Sequence, residues 1–230
     1  IESGFNFYYS FREGETAWIY AKTLAVFHYL LGVTSFSIDP YQIGYENEEG
    51  IESGAFWFYR KLGFRPTKPH LLELAVAEEK KIATRRNYRT RPEILRQLAE
   101  NHLIFELPGT TSGVWDRFHI RKLGLAVQRR MAKEFAGNAN AIREASAENV
   151  TRACGAPVKA GTSSEARALS DLSLVLALIP ELGGWSAADK RNVVRIIRAK
   201  AGPGESEYLR LTQRHHRLRA EIIRLGSGNP

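Results

Sequence analysis

Ser53-Gly54-Ala55-Phe56-Trp57-Phe58-Tyr59-Arg60-Lys61-Leu62-Gly63-Phe64 is the stretch most dense in structural signals. Four consecutive aromatic residues point to all sides of a helix, so a helix containing them has to be buried on several sides. Gly63 can take positive φ and release the chain from that helix, after which Phe64 can fold back onto it. Upstream, Tyr45–Gly50 is polar and acidic, which suits a helix N-terminus. The expected helix therefore runs from about Ile51 to Leu62, with a short extended piece at Phe64–Arg65. Further back, Phe5–Phe11 is aromatic enough for a strand. Ala17–Leu31 has helical spacing, with Trp18, Ala21, Ala25 and either Tyr29 or Leu30 at three- and four-residue steps. Gly32 supplies a stop, Val33–Ile38 returns to strand character, and Asp39-Pro40 ends it. Strand–helix–strand alternation predicts a mostly parallel α/β sheet.

The chain has 230 residues, 43% of them apolar and 25% charged, enough to bury a core and too apolar for disorder by composition. Residues 1–68 carry 6 Lys/Arg against 8 Asp/Glu and 17 of the 24 aromatics, whereas the remainder carries 27 Lys/Arg against 17 Asp/Glu. Two such shifts at one point place a domain boundary near Pro66–Pro69, giving an α/β segment over 1–68 and a helical region over 69–230. The longest apolar run, Leu174–Ile179, is far short of the roughly 18 residues a membrane span needs. Cys154 is the only cysteine, so neither an internal disulfide nor a cysteine-rich metal cluster can form. With no charged leader before an apolar stretch, the reducing cytoplasm is the expected compartment.

Ala55, Tyr59, Lys61, Gly63 and Phe64 match, at the right spacing, the last helix of the GNAT-type N-acetyltransferase superfamily, which often reads N-x-x-A-x-x-x-Y-x-K-x-G-F there. The preceding order of elements is similar as well. The resemblance covers about residues 1–68 and corresponds to the C-terminal half of that fold. It implies acyl-CoA-dependent acetyl transfer to an amine. Tyr59 would then be the general acid that returns a proton to the departing CoA thiolate. It also implies a pyrophosphate loop of the form Q/R-x-x-G-x-G/A at a helix N-terminus. Here that loop falls on Arg12-Glu13-Gly14-Glu15-Thr16-Ala17, making Arg12, Gly14, Thr16 and Ala17 the candidate acyl-CoA ligands. Arg12 and Ala17 match, Glu15 stands at the central glycine position, and Gly14 comes one residue early. The family carries three strands and two helices ahead of this segment. The expectation is therefore a fragment of a longer protein or a half-fold adapted as a scaffold.

The rest of the chain reads as helices. Pro69–Thr84 opens with a first-turn proline, and Thr90-x-x-Glu93 has the form of a capping box before Leu95 and Leu98. After a loop at Pro108–Gly113, the stripe Ile120, Leu123, Val127, Met131, Phe135 marks another helix, followed by one over about Asn140–Cys154. Gly155 to about Ser163 reads as a linker, and an apolar helix follows over about Glu165–Ile179. Ser186-x-x-Asp189 caps the helix carrying Val193, Val194 and Ile197. Beyond Gly202-Pro203-Gly204, Tyr208, Leu211, His215, Leu218, Ile222 and Leu225 form a heptad seam on one final helix. His215, polar among Leu and Ile, is expected to be buried in its neutral form. Residues 187–226 hold 10 Lys/Arg against 4 Asp/Glu. This basic hairpin is expected to pack or to serve self-association or a protein partner, since no base-reading motif or aromatic platform points to nucleic acid. The histidines are dispersed, and no H-E-x-x-H, G-x-S-x-G or Walker loop occurs, so no metal site is expected. The alternative to an acyltransferase is thus a non-catalytic scaffold that uses its basic helical region.

Overall fold

The computed structural model describes residues 1–4, 14–155 and 162–228. Phe5–Phe11 and Arg12, expected as a strand and a ligand, lie outside them. The chain divides into two compact units, Ile1–Tyr29 with Val33–Asp116, and Leu30–Gly32 with Arg117–Pro230.

The first unit contains α1 (Thr16–Leu31), β1 (Ser35–Ile38), a 3-10 turn (Pro40–Ile43), α2 (Glu48–Glu52), α3 (Ala55–Lys61) and β2 (Arg65–Pro66). It continues with α4 (Pro69–Thr84), α5 (Pro92–Leu98) and β3 (Leu103–Glu106). Its three-stranded sheet has the order β1-β3-β2, and β3 is antiparallel to both neighbours. The mostly parallel sheet expected from the alternation of elements is therefore corrected. Among the described residues, parallel pairing occurs where Glu2 bridges Ser37, with Ser3 N–H donating to Ser37 O at 2.9 Å and Ser37 N–H to Ile1 O at 2.8 Å. The pattern concealed β3, because the short apolar run Leu103–Phe105, a few residues after α5, has no period to betray it. The same strand moves the boundary from 68/69 to Asp116/Arg117: without Leu103–Glu106, β2 has no partner.

The expected helix over 51–62 is two helices. Gly54 takes φ 66° between α2 and α3 and turns the chain there. α3 delivers Phe56 and Tyr59 to the core, where they join Tyr20, Phe36, Ile38, Phe64, Leu103 and Ile104. In α1 the recurrent stripe Trp18, Ala21, Ala25, Tyr29 is the exposed side, and Tyr20, Leu24 and Leu31 are buried instead. α1 is apolar nearly all round, so spacing alone could not choose its inner face. Thr90 does not cap α5. Arg91 is the N-cap residue without a side-chain bond, and Pro92 opens the helix.

The second unit contains α6 (Ile120–Phe135), α7 (Ala139–Cys154), α8 (Ser163–Leu176), a 3-10 turn (Leu182–Gly184), α9 (Ala187–Lys200), α10 (Glu205–Arg214) and α11 (His216–Ser227). Its core gathers Val150, Leu169, Leu176, Leu182, Trp185, Val193, Ile197 and Leu218. The Ser186 cap forms as expected, its hydroxyl accepting from Asp189 N–H. The single terminal helix does not form: at His215 (φ −87°, ψ 80°) the seam breaks into α10 and α11. The imidazole Nδ1 accepts from Leu218 N–H at 3.3 Å, and Nε2 donates to Asp189 O at 3.1 Å. Those two bonds define the neutral Nε2–H tautomer of a buried ring. His215 is thus the cap of α11 and its tie to α9 rather than a passive seam residue.

Two substitutions check this account. His215→Ala removes an N-cap and the tie from the imidazole to the Asp189 carbonyl, so urea unfolding should show a loss of about 1–2 kcal/mol. Gly44 sits at φ 117°, where a Cβ would overlap the Ile51 side chain. Gly44→Ala should therefore cost about 2–4 kcal/mol in the same measurement.

Candidate functional site

The described residues singled out by the sequence lie at the start of α1 and on α3. Gly14, at φ 92°, precedes α1, and Thr16 and Ala17 form the first turn of that helix. That turn carries no acidic side chain, although exposed Glu15 stands just before it and accepts from Ile19 N–H. One turn further on, Tyr20 reaches α3. Its ring centroid is 5.7 Å from that of Tyr59, edge-on, and 6.1 Å from that of Phe58. Its hydroxyl shares a 2.6 Å hydrogen bond with Ser3 Oγ. Burial pushes the Tyr20 phenol up, and the bond to Ser3 offsets part of that rise. The start of α1 and Tyr59 thus meet through Tyr20.

Tyr59 itself is only 3% exposed. Its ring is walled by Phe58 at 5.1 Å and Phe64 at 5.8 Å, both nearly perpendicular to it. Gly63, at φ 97°, ends this turn as its sequence suggested, and Phe64 folds back with its N–H donating to Tyr59 O at 3.2 Å. The exit from α3 is therefore built as expected, and Tyr59 is a core ring of that exit.

Two polar clusters that sequence reasoning missed brace this region. Glu78 on α4 has no exposed surface. It accepts from Lys81 Nζ at 2.6 Å and Tyr88 Oη at 2.8 Å. Burial works to raise the Glu78 carboxyl, but the hydrogen bonds from Lys81, Tyr88 and Thr90 together hold it below its ordinary range. Thr90 Oγ1 also accepts from Trp57 Nε1 at 3.2 Å, linking α3 to the same cluster. The second cluster is centred on Arg65, which donates to Glu106 at 2.7 Å and to both oxygens of Asp116 at 2.8 and 3.1 Å. Glu106 also accepts from Ser112 Oγ and Gly113 N–H. For Glu106, the bonds from Arg65, Ser112 and Gly113 and the charge of Arg65 outweigh burial and lower its carboxyl. Every charged group in both clusters is hydrogen-bonded to one of opposite sign, the arrangement of a structural brace. The signal for Glu78 was slight: a lone carboxylate on the apolar side of a helix otherwise patterned by Leu71 and Ala75.

Among the described residues no group of three or more His, Cys, Asp or Glu could hold a metal ion, and no helix is long and apolar enough to cross a membrane. Compared with family models, with curated proteins and with solved structures, the chain matches none.

The Glu78 cluster gives a pH prediction. Because its carboxyl is lowered in the folded state, its stabilisation is fully present above the ordinary value of 4.5. It is lost as pH falls through the lowered folded value. Thermal melts from pH 7 down to pH 3 should show Glu78→Gln less stable than wild type at pH 7. The gap should shrink toward the acid end.

Proposed function

We propose that the first unit is an acyl-CoA-binding module of the N-acyltransferase type, in which the N-terminus of α1 holds the CoA pyrophosphate. The observation that carries this reading is the β–α–β connection: residues 1–3 pair in parallel with β1, and α1 is the crossover between them. Such crossovers receive phosphates at the N-terminus of the connecting helix, where backbone N–H groups and the dipole favour an anion. Gly14, in a left-handed conformation directly before that turn, lets the chain approach a ligand without a side chain in the way. The Tyr59-x-Lys61-x-Gly63-Phe64 ending of α3, built around Gly63 and Phe64 as above, is the second support.

In this reading Gly14, Thr16 and Ala17 line the pyrophosphate; Arg12, the fourth candidate, lies outside the described residues. An amine would attack the acyl carbonyl, the C–S bond would break, and Tyr59 would protonate the departing thiolate and recover a proton from the attacking amine. The enclosed ring of Tyr59 favours a second reading, in which the unit binds or scaffolds without catalysis and its tyrosine is core packing.

Calorimetric titration with acetyl-CoA distinguishes the readings, with binding expected below millimolar concentration. No heat at millimolar ligand leaves the scaffold reading. Ala17→Asp sets a carboxylate against the pyrophosphate but is compatible with a helix N-terminus. It should therefore weaken binding roughly tenfold while the melting temperature stays close to wild type.

A further inference from the structure

α1 uses only one of its two apolar sides. Tyr20 and Leu24 face the core at 1% and 6% exposure, while on the opposite side Trp18 is 65%, Val26 51% and Tyr29 86% exposed. Exposed Ala21, Lys22 and Ala25 lie between them. The steps 18, 21, 22, 25, 26, 29 keep all six on one helix face. A helix that lies on a protein surface ordinarily turns charged residues outward, and a contiguous apolar strip marks a place where something docks. The strip holds no carboxylate. Its one charge, the Lys22 ammonium, lies 5.5 Å from the centroid of its own Trp18 ring. A strongly charged partner would find little to pair with.

We infer that this face seats a second copy of the chain, α1 against antiparallel α1 about a twofold axis. The six positions are symmetric about the point midway between Thr23 and Leu24, so they fall into the pairs Trp18 with Tyr29, Ala21 with Val26, and Lys22 with Ala25. An antiparallel crossing at that point brings each pair together twice, the self-complementarity that an isologous interface requires. The two alanines let the helices approach closely at the centre, and the large rings close over the ends. Lys22 lies along Ala25 of the facing copy and keeps its ammonium in water. At about 150–250 Å² per buried aromatic side chain, the two strips together remove roughly 1,000 Å² from water, near the lower bound for a specific interface. The dimer should therefore be reversible, with a Kd on the order of 10 µM.

Sedimentation equilibrium of the full chain over about 1–200 µM, a range bracketing that Kd, tests the dimer and its register together. Ala25→Lys faces Lys22 of the other copy with a like charge, Ala25→Glu with an opposite one. Wild type and Ala25→Glu should dimerise, whereas Ala25→Lys and Tyr29→Lys should weaken the dimer by at least roughly tenfold. All of these positions are exposed, so circular dichroism and melting temperature should be common to the set. A wild-type monomer over the whole range overturns the inference. So does a dimer indifferent to Ala25→Lys, or an Ala25→Glu variant that dissociates as fully as Ala25→Lys.

Discussion

β1 and β2 are not ladder partners of each other; each is paired with β3. Backbone N–H and C=O groups taken out of water have to be paired, so the buried parts of both strands depend on Leu103–Glu106. The same four residues place Leu103 and Ile104, almost without exposure, among the sheet's core residues. Phe105 meets Phe36 at 6.4 Å and Phe64 at 5.5 Å between ring centroids, which ties the exit of α3 to the sheet. Pro66, which has no N–H to donate, sits in an edge strand, where a missing donor is tolerated. α1 and α3 come together on this platform, so the geometry around Tyr20 and Tyr59 rests on a strand more than forty residues downstream.

That dependence explains why polar clusters are concentrated in the chain between β2 and the second unit. α4 and α5 stand between β2 and the strand that completes the sheet, and they have to return the chain to the right register. Glu78 fixes the segment after α4 by collecting Lys81 and Tyr88 around a buried carboxylate. Arg65 holds the segment after β3 through Glu106 and Asp116. Burying charges is costly, and it becomes tolerable when both carboxylate oxygens find donors, as they do for Glu106 with Arg65, Ser112 and Gly113.

The second unit relies on helix ends rather than on a sheet. Ser186 caps α9 and His215 caps α11, and the imidazole of His215 also reaches the first turn of α9 at Asp189. At the other end of α11, the last carbonyls receive His119 N–H at Gly226 and Lys122 Nζ at Ser227, so the start of α6 closes the helix. Gly226 is required there because a Cβ would overlap the Phe118 ring. Orphan backbone groups at helix termini are thus supplied by other helices of the same unit.

Much of this architecture was local and therefore legible. Gly63, Pro69, Ser186 and Gly155 end or begin helices through their own local chemistry, and α1, α4, α6, α7 and α9 fall within a residue or two of where spacing and caps set them. The Gly63–Phe64 exit beside Tyr59 was legible for the same reason. Whatever depended on distant partners was not. The direction of the sheet, the existence of β3 and the inner face of α1 follow from which surfaces meet, and a run such as Leu103–Phe105 has no period that announces its partners. His215 was recognisable as a polar residue in an apolar seam. Only the carbonyl of Asp189, 26 residues away in sequence, turned it from a seam position into a helix cap. Sequence determines what a residue can do at short range, but a hydrogen bond or a buried face between distant segments is settled only when the chain brings them together.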